Sequence, residues 1–202
     1  MFLKRIALER ELNRSAIKCK EVMDLIKAAG LMKTVVKFSN CYEILVKEFI
    51  VNLSGGCADG KSADFKSVYV RGRKVNFSPT MINKYLWGPD DAQPELEVTY
   101  NQVCQTITAK QVKHWPLKGK LTASKLSMKF AILHKIGATN WVPTNHKSTI
   151  STGLGRFIYA VGTKTNFDYG NYIFDQKMKH AESCAIKGPI AFPSLLCSII
   201  ID

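Results

Sequence analysis

One proline decides how the second half of this chain can fold. Pro143 stands between two segments with helical apolar spacing, 121–136 (Leu126, Phe130, Leu133) and 148–161 (Ile150, Leu154, Phe157, Ile158, Val161). Its ring fixes φ, removes a backbone donor and holds Val142 extended, so a single helix cannot run through it. The two segments must be separate helices joined by a bend. The joint, Asn140-Trp141-Val142-Pro143-Thr144-Asn145-His146-Lys147-Ser148-Thr149-Ile150-Ser151, is also the densest set of non-interchangeable residues in the chain. Trp141 is a large apolar anchor. Thr144, Asn145, Ser148 and Ser151 are of the types that cap helices and close local turns. Two readings of the joint coexist. As structure, Trp141 and Val142 enter the core, Pro143 sets the bend, and Thr144 to Ser148 cap the next helix. As a site, Asn145, His146 and Lys147 stand at a helix N-terminus, where backbone N–H groups and the dipole favour an anion.

The rest of the chain reads as helices around one hairpin. Residues 4–29 hold no Pro or Gly and end at Gly30, which predicts a helix whose charged first half projects from the body. Residues 41–53 carry a stripe of Tyr42, Leu45, Val46, Phe49, Ile50 and Leu53, capped by Ser39 or Asn40 and ended by Gly55-Gly56. Residues 67–71 and 74–77 alternate at period two around Gly72, a hairpin signal. Ser78-Pro79 then opens a short helix with Met81, Ile82, Tyr85 and Leu86 on its stripe. Asp90 to Glu97 is an acidic loop. Thr108 is read as the cap of a short helix that ends at Pro116. Residues 170–184 and a segment from Pro193 onward complete the set. Gly153 and Gly155, inside a helix, point to close approach of another helix. An apolar helix running to Asp202 is the pattern expected of a piece of a longer chain. The expected fold class is α+β, predominantly α-helical: a helical extension over 1–38 and a compact multi-helix domain with one small hairpin over 39–202.

Charge is the main compositional signal. The net charge is +13, and it is unevenly spread. Between Glu97 and Asp168 there is no carboxylate, while Lys110, Lys113, Lys118, Lys120, Lys125, Lys129, Lys135, Lys147, Arg156 and Lys164 all fall in that interval. Solvated surfaces usually mix both signs. An acid-free run of cations fits a face that attracts phosphates or an acidic partner; plain solubility is the alternative. Arg71, Arg73 and Lys74 at the hairpin tip could touch a phosphate backbone or keep an exposed sheet edge soluble. Trp115, Trp141 and Phe130 read as core. No apolar run of about eighteen residues is present, so no membrane span is expected. Arg5 and Glu9-Arg10-Glu11 stand where a secretory signal would have its apolar core, so the expected location is intracellular, nucleus or cytoplasm. The six cysteines are far apart and form no CxxC pair, which reads as reduced thiols.

Motifs that carry chemistry are absent. His180 and Cys184 are spaced i, i+4, but a structural zinc wants four ligands. Gly153-Leu154-Gly155 lacks both the GxGxxG spacing and a GK[ST] ending. No GxSxG elbow occurs. Metal-dependent phosphoryl transfer needs two or three gathered carboxylates, and the acid-free interval supplies none. No cofactor, metal or catalytic residue is assigned.

Several stretches resemble one family. Val68-Tyr69-Val70-Arg71-Gly72, Val75-Asn76-Phe77-Ser78-Pro79 and Ile82-Asn83-Lys84-Tyr85-Leu86, with Leu45 to Leu53 upstream, resemble the opening of the "putative plant transposon protein" domain. Trp141-Val142-Pro143-Thr144-Asn145-His146, with Ser148 and Ser151, and Phe157-Ile158-Tyr159-Ala160-Val161 look like its central signature. Phe192-Pro193-Ser194-Leu195-Leu196-Cys197 looks like its closing one. The hairpin and following helix are also more weakly similar to the plant mobile domain. The resemblance covers about residues 41–202 and implies a plant mobile-element origin, in retroelement-derived reading frames sometimes labelled envelope-like. It implies no catalytic residues. The expected function is a non-enzymatic module that binds nucleic acid, with little sequence preference, through Arg71, Arg73, Lys74, Lys110, Lys113, Lys118, Lys120, Lys125, Lys129, Lys147 and Arg156. The alternatives are a self-associating scaffold or one for an acidic protein, and an enzyme of unrecognised class.

Overall fold

The computed structural model describes residues 5–12, 19–87, 97–117, 120–182 and 188–202. Within them the chain forms α1 (Lys20–Ala28), α2 (Glu43–Asn52), β1 (Ser67–Val70), β2 (Arg73–Asn76), α3 (Pro79–Trp87), α4 (Tyr100–Ile107), β3 (Leu121–Thr122), α5 (Met128–Asn140), β4 (Thr149–Ile150), α6 (Thr152–Thr163), α7 (Tyr169–Glu182) and α8 (Pro193–Ile201). The predominantly helical α+β class is as expected. A second two-stranded antiparallel ladder, Leu121↔Ile150 and Thr122↔Thr149, joins the hairpin.

The core is arranged around α6, which packs against α1, α4 and α5. Leu154, Phe157, Ile158 and Val161 are buried on it, as their spacing requires, whereas Ile150, expected on the same stripe, is buried in β4 ahead of the helix. The Phe157 ring lies 5.0 Å from that of Trp141, 5.0 Å from Tyr169 and 5.2 Å from Tyr172, in tilted or edge-on pairs that the ring quadrupoles favour. Small residues let these elements close. A Cβ on Gly155 would stand 2.5 Å from Cη2 of Trp115, and one on Gly162 would run into the Phe130 ring. Of the two glycines expected to admit another helix, Gly153 does so, its Cβ position lying 3.1 Å from the Tyr172 hydroxyl on α7, whereas Gly155 admits Trp115, which lies outside any helix.

The hairpin follows its sequence signal. Val68 pairs with Val75 and Val70 with Arg73, and the turn residues Arg71 and Gly72 both have positive φ, +51° and +73°. That is the twist-matched two-residue turn. Ser78 caps α3: its Oγ accepts the Met81 N–H at 3.2 Å.

Four local expectations are corrected. Among the described residues, the helix expected over 4–29 is confined to α1, and residues 4 and 13–18 of that span lie outside the described residues. Residues 5–12 run extended and are stitched to the body. Ile6 bridges Ile190, Arg5 O accepts from Ile190 N, Leu12 N donates to Val35 O, and Arg10 exchanges N–H and C=O bonds with the Asn140 amide. These tertiary bonds satisfy the backbone that a helix would have satisfied internally. The short helix lies before Thr108 rather than after it. Thr99 and Gln102 form a reciprocal capping box at the start of α4, and Thr108 is its C-cap. The helix expected from 121 begins at Met128, because residues 121–125 pair with β4 and then make a 3-10 turn. No side chain caps α2: its N-cap is Tyr42, not Ser39 or Asn40. Most of the acidic loop expected over 90–97 lies outside the described residues.

Candidate nucleic-acid interface

The Pro143 joint resolves in favour of structure. Trp141 is fully buried and its indole N–H donates to Thr34 Oγ1 at 2.9 Å. Val142 N and Thr144 N donate back to the carbonyls of Gly137 and Ala138, so the bend after α5 leaves these groups satisfied. The cap of α6 is Ser151, whose Oγ accepts the Leu154 N–H at 3.3 Å. Thr144 caps only its own turn, through the His146 N–H. Strand β4 separates Asn145, His146, Lys147 and Ser148 from the N-terminus of α6, so the helix-dipole anion site expected there does not exist. All four are exposed side chains.

The structure sorts the expected cations into two groups. The first makes contacts within the protein. Arg71 donates its backbone N–H to Glu48 at 2.7 Å and pairs its Nε with the same carboxylate at 3.1 Å. Lys74 reaches the Ala63 carbonyl. Lys129 donates to the Gly162 carbonyl at 3.1 Å, serving the C-terminal end of α6 where cations are favoured. The Arg156 guanidinium lies over the Tyr100 ring at 5.9 Å. Arg73 is exposed on β2, but the hairpin packs on α2 and α8, away from the elements of the acid-free interval.

The second group gathers round the β3–β4 ladder. Lys120 precedes β3, Lys125 ends the 3-10 turn after it, and Lys147 precedes β4. The ladder register and the bond from Ala123 N to Ser148 O bring their backbones side by side. All three are exposed. Ser127 N donates to Ile107 O, which draws the end of α4, with exposed Lys110 and Lys113 beyond it, toward the same region. Lys118 lies outside the described residues. Among the described residues, the cation–carboxylate pairs Lys47–Glu43 and Arg71–Glu48 both lie outside the acid-free interval.

A cleft of about 420 Å³ opens beside this ladder. Ala123, Ala131 and Ala138 give it an apolar floor, and Lys135, Lys147, Thr139 and His134 complete the lining. No carboxylate lines it. His134 is 4% exposed, and its Nε2 has no partner within the protein. Burial lowers its pKa, against a hydrogen bond to the Thr149 backbone that acts the other way. The imidazole is therefore neutral near pH 7, and the positive charge of the cleft comes from the two lysines. Sequence reasoning did not single out this cleft. The signal was present: Ala131, His134, Lys135 and Ala138 are spaced i, i+3, i+4, i+7, one stripe of small residues beside a histidine and a lysine.

The fold and this face define a basic, predominantly helical α+β domain with a cationic, alanine-floored cleft. Residues 27–200 match the family described as "Putative plant retrotransposon-related domain", and the chain belongs to that family. Its mobile-element origin follows. No curated protein and no solved structure matches the chain. Among the described residues no helix is long and apolar enough to cross a membrane.

Proposed function

We propose that this domain is a binding module rather than a catalyst, and that it binds nucleic acid mainly by phosphate contacts. The face is the one formed by Lys120, Lys125, Lys135 and Lys147 around the β3–β4 ladder and the α5 cleft. The observation that carries the reading is the pairing pattern. These four side chains are exposed, and they come from the acid-free interval, where no carboxylate neighbour in sequence offsets them. A polyanion supplies the charge that the chain withholds. Lysine is a flexible point charge on a long stem, suited to phosphate contact with little sequence preference. The alanine floor leaves room for a sugar or base edge against the protein.

The test is fluorescence anisotropy of labelled single- and double-stranded DNA and RNA at several salt concentrations. With four phosphates neutralised, affinity falls roughly 150-fold between about 50 and about 200 mM monovalent salt, from a log–log slope near −3.6. No binding at the lower salt sinks the proposal. Salt-dependent binding to a polyglutamate chain, with none to nucleic acid, moves the face to an acidic protein partner instead.

A further inference from the structure

Helix α8 carries Cys197 against the start of α2. Cys197 is fully buried, whereas Cys41 is exposed, and their sulfurs are 3.7 Å apart. The Cys197 sulfur is held from a second side. It accepts the Tyr42 N–H at 3.1 Å, and its thiol reaches the Tyr42 carbonyl at 3.7 Å. The Cys57 thiol, by contrast, is directed at the carbonyl of Phe77. Two cysteines 156 positions apart thus meet in one contact, one sulfur fixed by its surroundings and the other on a solvent-facing residue ahead of a helix.

We propose that Cys41 and Cys197 are a modification site that closes an intramolecular disulfide by exchange with a small-molecule disulfide such as oxidised glutathione. The Cys41 thiol loses its proton to solvent, and its thiolate attacks one sulfur of the small disulfide. The S–S bond of the reagent breaks, a protein mixed disulfide forms, and one reduced thiol leaves. The Cys197 sulfur, deprotonated in turn, attacks the Cys41 sulfur and expels the second reduced thiol. Two protein thiols are oxidised and one disulfide is reduced to two thiols, so atoms and electrons balance. Closing the bond brings the sulfurs from 3.7 Å to about 2.05 Å. Cys41 lies before the first residue of α2, so its side chain can turn without disturbing a helix.

The surroundings set the rate. Although the residue as a whole is exposed, partial desolvation of its thiol, with the neighbouring Cys197 thiol and the Glu9 and Glu43 carboxylates, pushes the Cys41 thiol up to about 12. The thiolate is the attacking species, so exchange is slow at neutral pH and quickens about tenfold per pH unit below that value. The product ties the C-terminal helix to the start of α2, and residues 5–12 are already anchored to that helix through Glu9 and Ser194.

The test uses the whole chain with oxidised glutathione at pH 7, 8 and 9, followed by alkylation and mass spectrometry. The expected product is lighter than the reduced chain by two hydrogen atoms, yields a Cys41–Cys197 linked peptide in a non-reducing digest, and forms about ten times faster per pH unit. Its Tm rises by roughly 5–15 °C, reversed by reductant. A stable glutathione adduct on Cys41 that never resolves overturns the proposal. So does alkylation of both thiols after prolonged exposure at pH 9, or a link to any other cysteine. These readouts use the unmutated protein and do not depend on nucleic-acid binding.

Discussion

Lys177 is the most demanding residue in the core, and replacing it with methionine gives a signature that only its charge can produce. The side chain is fully buried on α7. Its Nζ donates to Gln176 Oε1 at 3.2 Å, lies 5.4 Å from the Phe192 ring centre, and faces Glu9 on the extended segment 5–12. Burial drives its pKa from 10.5 down to about 7, against the pull of the Glu9 carboxylate. Glu9 is itself raised by burial, with Ser194 and Lys177 acting the other way. Between pH 7 and 10.5 the unfolded chain therefore holds a proton that the folded chain has released, so stability rises with pH across that window. Integrating from pH 7 to pH 9 gives about 2 kcal/mol at about 1.4 kcal/mol per unit. Lys177→Met removes this titration and leaves the other groups in place. The stability of the parent relative to K177M, from urea midpoints at pH 7, 8 and 9, must then rise by about 2 kcal/mol over the series. Tyrosine and cysteine titrations are common to both proteins and cancel in the difference. A difference constant with pH refutes the buried, deprotonating lysine.

Three other substitutions test the architecture and the face. Asn140→Ala removes the amide that bonds Arg10 N, Arg10 O and Thr34 O; it costs about 2–4 kcal/mol by denaturant unfolding and speeds amide hydrogen exchange in residues 5–12 first. Gly155→Ala sets a methyl against the Trp115 ring; the overpacking costs about 1–3 kcal/mol despite alanine's better helix propensity, read from Tm with the shift in Trp115 fluorescence. Lys135→Glu and Lys147→Glu each weaken nucleic-acid binding and flatten its salt slope by about one or more. Lys129→Glu leaves the slope unchanged and lowers stability, because Lys129 serves the Gly162 carbonyl.

What the sequence revealed and what it hid divide along physical lines. The hairpin was legible because Gly72 between alternating segments and Ser78-Pro79 after them are local signals with local causes. The α6 stripe and the burial of Trp141 were legible because apolar periodicity reports directly on the core. Residues 5–12 were misread as helix because nothing in their sequence announces the partners that override local propensity. Those partners, Val35, Asn140, Ile190 and Ser194, lie up to 185 positions away. The α4 start was legible in principle, since Thr99-x-x-Gln102 is a capping box, yet the weak apolar pattern around it masked the signal. The β3–β4 ladder is two residues per strand, too short for alternation to register. The Cys41–Cys197 contact joins residues 156 positions apart and leaves no trace in spacing.

The acid-free interval shows why a charge count and a charged face are different things. The same 70 residues, 98–167, build α4, α5 and α6, the packing centre of the domain, so many of their side chains are committed inward. Lys129 and Arg156 are spent on a helix end and an aromatic ring. Of the cations left exposed, Lys120, Lys125, Lys135 and Lys147 are held at the surface by the β3–β4 ladder and α5, and Lys110, Lys113 and Lys164 are exposed elsewhere in the interval. Their effect is not diluted, because the interval carries no carboxylate to close a local ion pair, and exposed ion pairs are the usual sink for surface lysines. The absence of acids therefore matters more than the number of bases. A single carboxylate placed at Ser124 or Ser148, both exposed beside the ladder, would neutralise more of this face than removing a distant lysine such as Lys164.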